Sequence, residues 1–295
     1  MSLPPPTAAA ADAITRPIVV FSAPRSGSTL LFETLARAPG VHTVGGESHR
    51  IIESIPSLHP ASRDYASNRL DAGDASEAVV AEVRAGFNAA LRDRDGQPPM
   101  AGQSARLLEK TPKNILRVPF MRKVFPDARY VVLFREPAAV LSSMIEAWRS
   151  GHFVTYRQLP GWQGPPWSLL LVPGWQRVSG RPLEEIVAYQ WGRAMHVLLE
   201  DLEALPASSW TPVRYEALVA DPQAQVARLC AWLELDWDME LRQLPLSRFT
   251  VSAPQPGKWR RNEAQIRRVL PLVEGIQARV EALLAGRAEA GAPGR

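Results

Sequence analysis

The run Ile18-Val19-Val20-Phe21-Ser22, followed by Ala23-Pro24-Arg25-Ser26-Gly27-Ser28-Thr29 and then Leu30-Leu31, constrains this chain more than any other segment. Five apolar or small residues, rich in β-branched types, read as a strand buried on both faces. A loop of Pro, Arg, Gly and hydroxyl residues follows, and then the apolar spacing of a helix begins. Strand, tight loop and helix together aim backbone N–H groups and the positive end of a helix at one point. A phosphate is the expected occupant of such a point.

The loop departs from the nucleoside-triphosphate pattern G-x-x-x-x-G-K-[ST] at two places. Ser22 stands at the first glycine and Ser28 at the lysine, and the cation has moved inside the loop to Arg25. A second buried strand, Arg129 to Phe134, ends in Arg135, where kinases and ATPases commonly carry an acid for Mg²⁺. A cation there repels a metal and attracts a second anion. Ser143 follows eight residues later, in a helix that Pro137 starts. That spacing is about two helical turns, so Arg135 and Ser143 can grip one phosphate together.

Loop and pair together resemble the sulfotransferases that use 3′-phosphoadenosine 5′-phosphosulfate (PAPS). The resemblance runs to about Lys258 and is nearest the bacterial and tyrosylprotein branch, with Arg in the loop and a Gly-Glu-[ST] segment after the first helix. It implies that Arg25, Ser26, Gly27, Ser28, Thr29 and Leu30 surround the 5′-phosphosulfate and that Arg135 and Ser143 hold the 3′-phosphate. It matches Glu47, in Gly45-Gly46-Glu47-Ser48-His49, to the family's base. Lys110 of Leu108-Glu109-Lys110-Thr111-Pro112 matches the active-site lysine. Tyr215 matches the residue beside the adenine, and Lys258 the loop that closes over the nucleotide. His49 is a rival base, because imidazole titrates near neutral pH. One departure is clear: relatives carry an Arg four residues after the serine, where this chain has Ala147, and Arg149 is the available substitute. The implied activity is transfer of a sulfuryl group from PAPS, as co-substrate and without a metal, to a hydroxyl. The acceptor is a hydrophobic or aromatic small molecule or a peptide tyrosine. A P-loop kinase using ATP and Mg²⁺, and a nucleotide-binding protein without catalysis, are the alternatives.

Composition excludes several other classes. The net charge is +4 among 295 residues, with no basic run, so no nucleic-acid partner is expected. Cys230 is the only cysteine, which rules out an intrachain disulfide or a thiolate metal cluster, and it sits on an apolar helix face as a core residue. The histidines show no ligand spacing, so no metal site is expected. No apolar stretch approaches the ~20 residues needed to span a bilayer. The N-terminus lacks the order of a signal peptide, and a cytoplasmic location is expected. A homodimer is left open.

Strands expected at 18–22, 41–44, 106–109 and 129–134 alternate with helices, which implies a parallel sheet. Helices are expected near Ile51 and at 76–92, 114–125 (bent at Pro119), 137–149, 183–204, 222–235 and 262–284. The fold class is α/β: a P-loop-like three-layer fold with a central parallel sheet flanked by helices, plus a Trp-rich insert. Residues 1–16 are expected to form a disordered arm, 17–284 a single domain and 285–295 a flexible tail. The insert, 150–182, carries Trp162, Trp167 and Trp175 and reads as an acceptor-binding lid or as a hydrophobic plug.

Overall fold

The computed structural model describes residues 12–241, 244 and 257–290. β1 (Ile18–Ser22) leads into α1 (Ser28–Leu35), β2 (Val41–His42), α2 (His49–Ile52) and α3 (Glu77–Ala90). β3 (Arg106–Glu109), α4 (Val118–Val124), β4 (Arg129–Phe134) and α5 (Pro137–Ser150) complete the first half. The insert holds a short antiparallel ribbon, β5 (Val154–Tyr156) with β6 (Trp167–Ser168). Then come α6 (Leu183–Glu203), β7 (Trp210–Arg214), α7 (Tyr215–Ala220), α8 (Pro222–Leu233), α9 (Glu263–Val269) and α10 (Glu274–Ala290).

The main sheet has the order β2-β3-β1-β4-β7, and every pair in it is parallel. Both faces are covered, which is why β1 and the body of β4 read as apolar runs. Ile18 and Val20 pack with Leu31, Leu35, Leu229 and Cys230 on the α1–α8 side. Val19 and Phe21 face the larger core, with Phe120, Leu141, Ile145 and Leu198. Because the strands run parallel, β1, β3, β4 and β7 all deliver their carboxyl ends to one edge, where sheets of this class hold their ligands.

Several boundaries differ from expectation for identifiable reasons. The expected helix 114–125 is a 3₁₀ turn, Pro112–Leu116, then α4, with the break at Arg117 (φ −132°). Pro119 occupies the first turn of α4, where its missing N–H costs nothing, and does not bend a longer helix. The helix expected at 262–284 is likewise divided, at the turn Leu270–Leu272, whose Pro271 cannot continue the ladder. Strand β7 and helix α7 were not foreseen.

Residues 1–11 of the expected arm lie outside the described residues. The rest of that arm is tied down: Ile14 is buried, and Thr15 N–H donates to the Ala105 carbonyl at 3.1 Å. Helix α10 runs past Ala285 into the expected tail, of which residues 291–295 lie outside the described residues.

The tryptophans of the insert form a cluster with Trp148 of α5. Ring centroids are 4.8 Å apart for Trp162–Trp167, 5.3 Å for Trp148–Trp167 and 5.8 Å for Trp167–Trp175. Trp167 and Trp175 are buried, and their indole N–H groups donate to the carbonyls of Leu170 (3.1 Å) and Tyr65 (2.9 Å). Rings buried this deeply, with their polar edges already satisfied, tie the insert to the body. Among the described residues, no helix is long and apolar enough to cross a membrane.

Candidate active site

The loop after β1 needs two residues in left-handed backbone, Arg25 (φ 66°) and Gly27 (φ 91°). Gly27 caps α1, and the first ladder bonds are those of Leu30 and Leu31 N–H to its carbonyl, at 3.0 and 3.3 Å. The amides of Ser28 and Thr29 precede those bonds and have no acceptor within the helix. Ser26 and Ser28 are buried. Glycine is required at position 27 by contact as well as by φ: a Cβ there would lie 2.3 Å from Tyr215 Cε2.

Around this loop the structure gathers cations from distant parts of the chain. Arg135, just past β4, donates from Nη1 to the Arg25 carbonyl at 3.1 Å and lies over the Tyr215 ring, 4.2 Å from its centroid. Its Nε is buried with no hydrogen-bond partner among the described residues. Arg25 donates from Nε to Ser143 Oγ at 3.3 Å, and its guanidinium sits 4.7 Å over the Phe153 ring. Burial pulls the Arg25 pKa down, and the Arg135 charge adds to that. Lys258 is pulled down by burial and then by Arg261, Arg135 and Arg25, with Glu146 opposing. Cations that destabilise one another in a half-buried site are stabilised together by a bound anion. Of the expected phosphate residues, Arg25, Arg135, Ser143 and Tyr215 are joined by direct contacts, and Lys258 lies near enough to feel the Arg25 and Arg135 charges. Arg149, the candidate substitute for the missing arginine, is instead bonded to Asn262 Oδ1 (2.7 Å) and Gln265 (3.2 Å).

The second group lies across α1. Lys110, at the end of β3, is 3% exposed and donates to Glu47 Oε1 at 3.0 Å and to Thr29 Oγ1 at 3.2 Å. Thr29 thus joins the phosphate loop to the Glu47–Lys110 pair. Glu47 keeps 40% of its side chain exposed, so its second oxygen can meet a substrate. His49 Nδ1 is 3.8 Å from Glu47 Oε2, too far for a hydrogen bond. Burial and the Lys113 charge lower the His49 pKa against the opposing carboxylates of Glu47 and Glu53.

Two features here were missed in the sequence. Phe153 of the insert supports Arg25, as described. Behind His49, the Glu53 carboxylate takes Lys113 Nζ (2.7 and 2.9 Å) and the fully buried Arg117 guanidinium (2.6 Å), and those cations hold its pKa below the usual range despite burial. A charge inside an apolar helical pattern, as at Arg117, was the available signal.

A profile of the sulfotransferase family matches residues 17–239. Protein-tyrosine sulfotransferase A of Caenorhabditis elegans is 23% identical over 225 residues, covering 75% of this chain and 50% of that protein. Protein-tyrosine sulfotransferase 1 of Danio rerio is 25% identical over 224 residues, covering 75% of this chain and 54% of the relative. The chain thus spans about half the length of these two relatives. The crystal structure of a sulfotransferase from Alicyclobacillus acidocaldarius shares the fold, with a TM-score of 0.54 at 14% identity over 92% of this chain and 96% of the other. The profile spans most of the sequence and includes the loop, Glu47, Lys110, Arg135 and Tyr215, and the chain belongs to the sulfotransferase family.

Proposed function

We propose that this protein transfers a sulfuryl group from PAPS to an acceptor hydroxyl. The observation that carries the reading is the joining of Arg25, Arg135, Ser143 and Tyr215 beside the amides of α1, with the Glu47–Lys110 pair one residue contact away through Thr29. The orphaned Nε of Arg135 and the mutually destabilised cations fit a nucleotide carrying a second phosphate. Arg135 and Ser143 would hold the 3′-phosphate. Ser26, Gly27, Ser28, Thr29 and Leu30 would take the 5′ side, and Tyr215 would flank the base.

PAPS supplies an activated sulfuryl group whose leaving group is a phosphate oxygen. Glu47 accepts the acceptor's hydroxyl proton as its oxygen bonds to sulfur and the bond from sulfur to the bridging oxygen breaks. Lys110 and Arg25 stabilise the negative charge that develops on the sulfonate and on the departing 3′,5′-bisphosphate. Catalysis is then positioning and electrostatic stabilisation, which protein cations supply without a metal. His49 remains the rival base; its lowered pKa keeps it neutral and able to accept a proton.

Arg135 at the end of β4 disfavours an ATP–Mg²⁺ kinase, which needs an acid there. The tyrosine sulfotransferase relatives favour a phenolic hydroxyl, on a peptide tyrosine or an aromatic small molecule. A cytoplasmic enzyme drawing on PAPS made in that compartment is the accompanying proposal. Transfer of ³⁵S from PAPS to a panel of phenols, aliphatic alcohols and tyrosine peptides tests the reading, with EDTA present. Labelled product in EDTA supports it. Turnover of ATP restored by Mg²⁺, with no transfer from PAPS, overturns it.

A further inference from the structure

One buried carboxyl beside the site takes no part in this chemistry. Glu109 is the last residue of β3, 0% exposed, and directly precedes Lys110. Its Oε1 accepts from Ser48 Oγ at 2.6 Å and from Asn114 Nδ2 at 3.0 Å. Its Oε2 is buried with no hydrogen-bond partner among the described residues. Burial pushes the carboxyl up to about 7, against Ser48, Thr111 and the Lys110 charge, which lower it. The nearby Glu47 carboxylate raises it further. Such a group is costly to keep inside a core strand.

What it holds is the turn that carries the base. Ser48 is gripped twice: its hydroxyl by Glu109, and its N–H by Thr111 Oγ1 at 2.7 Å. The two hydroxyls also meet at 3.1 Å. All these grips come from the segment Glu109–Thr111, whose middle residue is Lys110. Glu47, one residue before Ser48, is thereby fixed against the lysine at 3.0 Å. An apolar residue at 109 could fill the volume but would leave Ser48 Oγ without this acceptor.

We propose that Glu109 is a positioning residue that acts through Ser48 to hold the Glu47 carboxylate against Lys110. The proposal rests on the reading of Glu47 as the base.

The test compares Glu109→Ala, Glu109→Gln, Ser48→Ala, Glu47→Gln and the double variant Glu47→Gln/Glu109→Ala. It reads kcat per folded molecule, both KM values and affinity for 3′,5′-ADP. Glu109→Ala and Ser48→Ala are each expected to lower kcat about 10–10²-fold, the scale of a misplaced catalytic group. Affinity for 3′,5′-ADP stays within about threefold, because the phosphate cations are not touched. Glu109→Gln keeps an oxygen acceptor for Ser48 and recovers kcat to within about fivefold of the natural protein. In the Glu47→Gln background, Glu109→Ala costs less than about threefold, since a residue acting through another adds little once that other is gone.

An unchanged kcat in Ser48→Ala overturns the proposal, even if Glu109→Ala does not fold. So does full additivity in the double variant, or an equal loss of nucleotide affinity. Glu47→Gln at the natural rate refutes the base assignment itself, and the proposal falls with it. A dead Glu47→Gln beside fully active Ser48→Ala and Glu109→Ala refutes the positioning role alone.

Discussion

Replacing Gly27 by alanine tests whether the loop after β1 is shaped by the ring of Tyr215. At φ +91° an L side chain is strained, at a cost of about 1–2 kcal/mol. The added Cβ would stand 2.3 Å from Cε2 and 2.5 Å from Cδ2 of Tyr215, where ordinary carbon contacts are about 3.5–4.0 Å. The ring must therefore retreat by more than about 1 Å. It is 7% exposed and carries the Arg135 guanidinium 4.2 Å above it, so it has little room. Overpacking of this kind costs about 1–3 kcal/mol, and the two effects together make roughly 2–5 kcal/mol. In a Tyr215→Ala background the collision is gone, and only the backbone strain of about 1–2 kcal/mol remains. Urea unfolding of the two single variants and the double variant reads the coupling directly, as about 1–3 kcal/mol. A ring displaced by the methyl takes Arg135 with it, so Gly27→Ala should also weaken 3′,5′-ADP by more than about tenfold in calorimetry, the loss of one charge-assisted contact. The reasoning is refuted if Gly27→Ala costs the same with and without the tyrosine.

Arg135→Ala should weaken 3′,5′-ADP by roughly 1.5–3 kcal/mol and leave 5′-AMP nearly unchanged; equal losses for both ligands in calorimetry would reject the 3′-phosphate assignment. Glu109 should impose a pH dependence on stability. Its folded value of about 7 lies above the ordinary 4.5, so its favourable contribution is complete below about 4.5 and is lost as pH rises through 7. At ~1.4 kcal/mol per pH unit, the natural protein should lose roughly 3 kcal/mol relative to Glu109→Gln over that range, and parallel urea midpoints from pH 4.5 to 7.5 would contradict it. Trp167→Ala should lower stability by about 3–5 kcal/mol, with acceptor KM unchanged in the folded fraction. A selective rise in acceptor KM without loss of melting temperature would favour the lid reading of the insert.

What the sequence made legible divides along a physical line. Strands β1 and β4 match their expected ranges because both faces are buried and the apolar runs are long, and β3 matches around its apolar pair Leu107-Leu108. β7 was missed because Trp210-Thr211-Pro212-Val213-Arg214 carries a proline, which argues against a central strand. In the structure β7 is the edge strand next to β4, where a missing N–H is tolerated. The loop after β1, and the places of Arg135 just past β4 and of Ser143 on α5, were legible because each is set by local spacing along one strand and one helix. The contacts that join Arg25, Arg135 and Tyr215, and that of Phe153 with Arg25, depend on which strand ends and loops meet, and no local pattern encodes that.

Glu109 marks where such reading can be extended. Its partner Ser48 is 61 residues away, so no motif spacing joins them. The sequence still carried a signal: a carboxylate at the end of a run whose other positions demanded burial. Burying a carboxyl costs several kcal/mol unless hydrogen bonds offset it, so its place in the strand implies donors arriving from elsewhere. Those donors are Ser48, beside the candidate base, and Asn114. Arg117 repeats the pattern: a guanidinium with 0% exposure inside an apolar segment, answered by Glu53 from the segment next to His49. In both cases an ionisable group in the core reaches the polar segment that borders the proposed Glu47–Lys110 pair. At these two positions a charge in a stretch that the apolar pattern assigns to the interior points to the segments around Glu47, and it is legible before its partner is known.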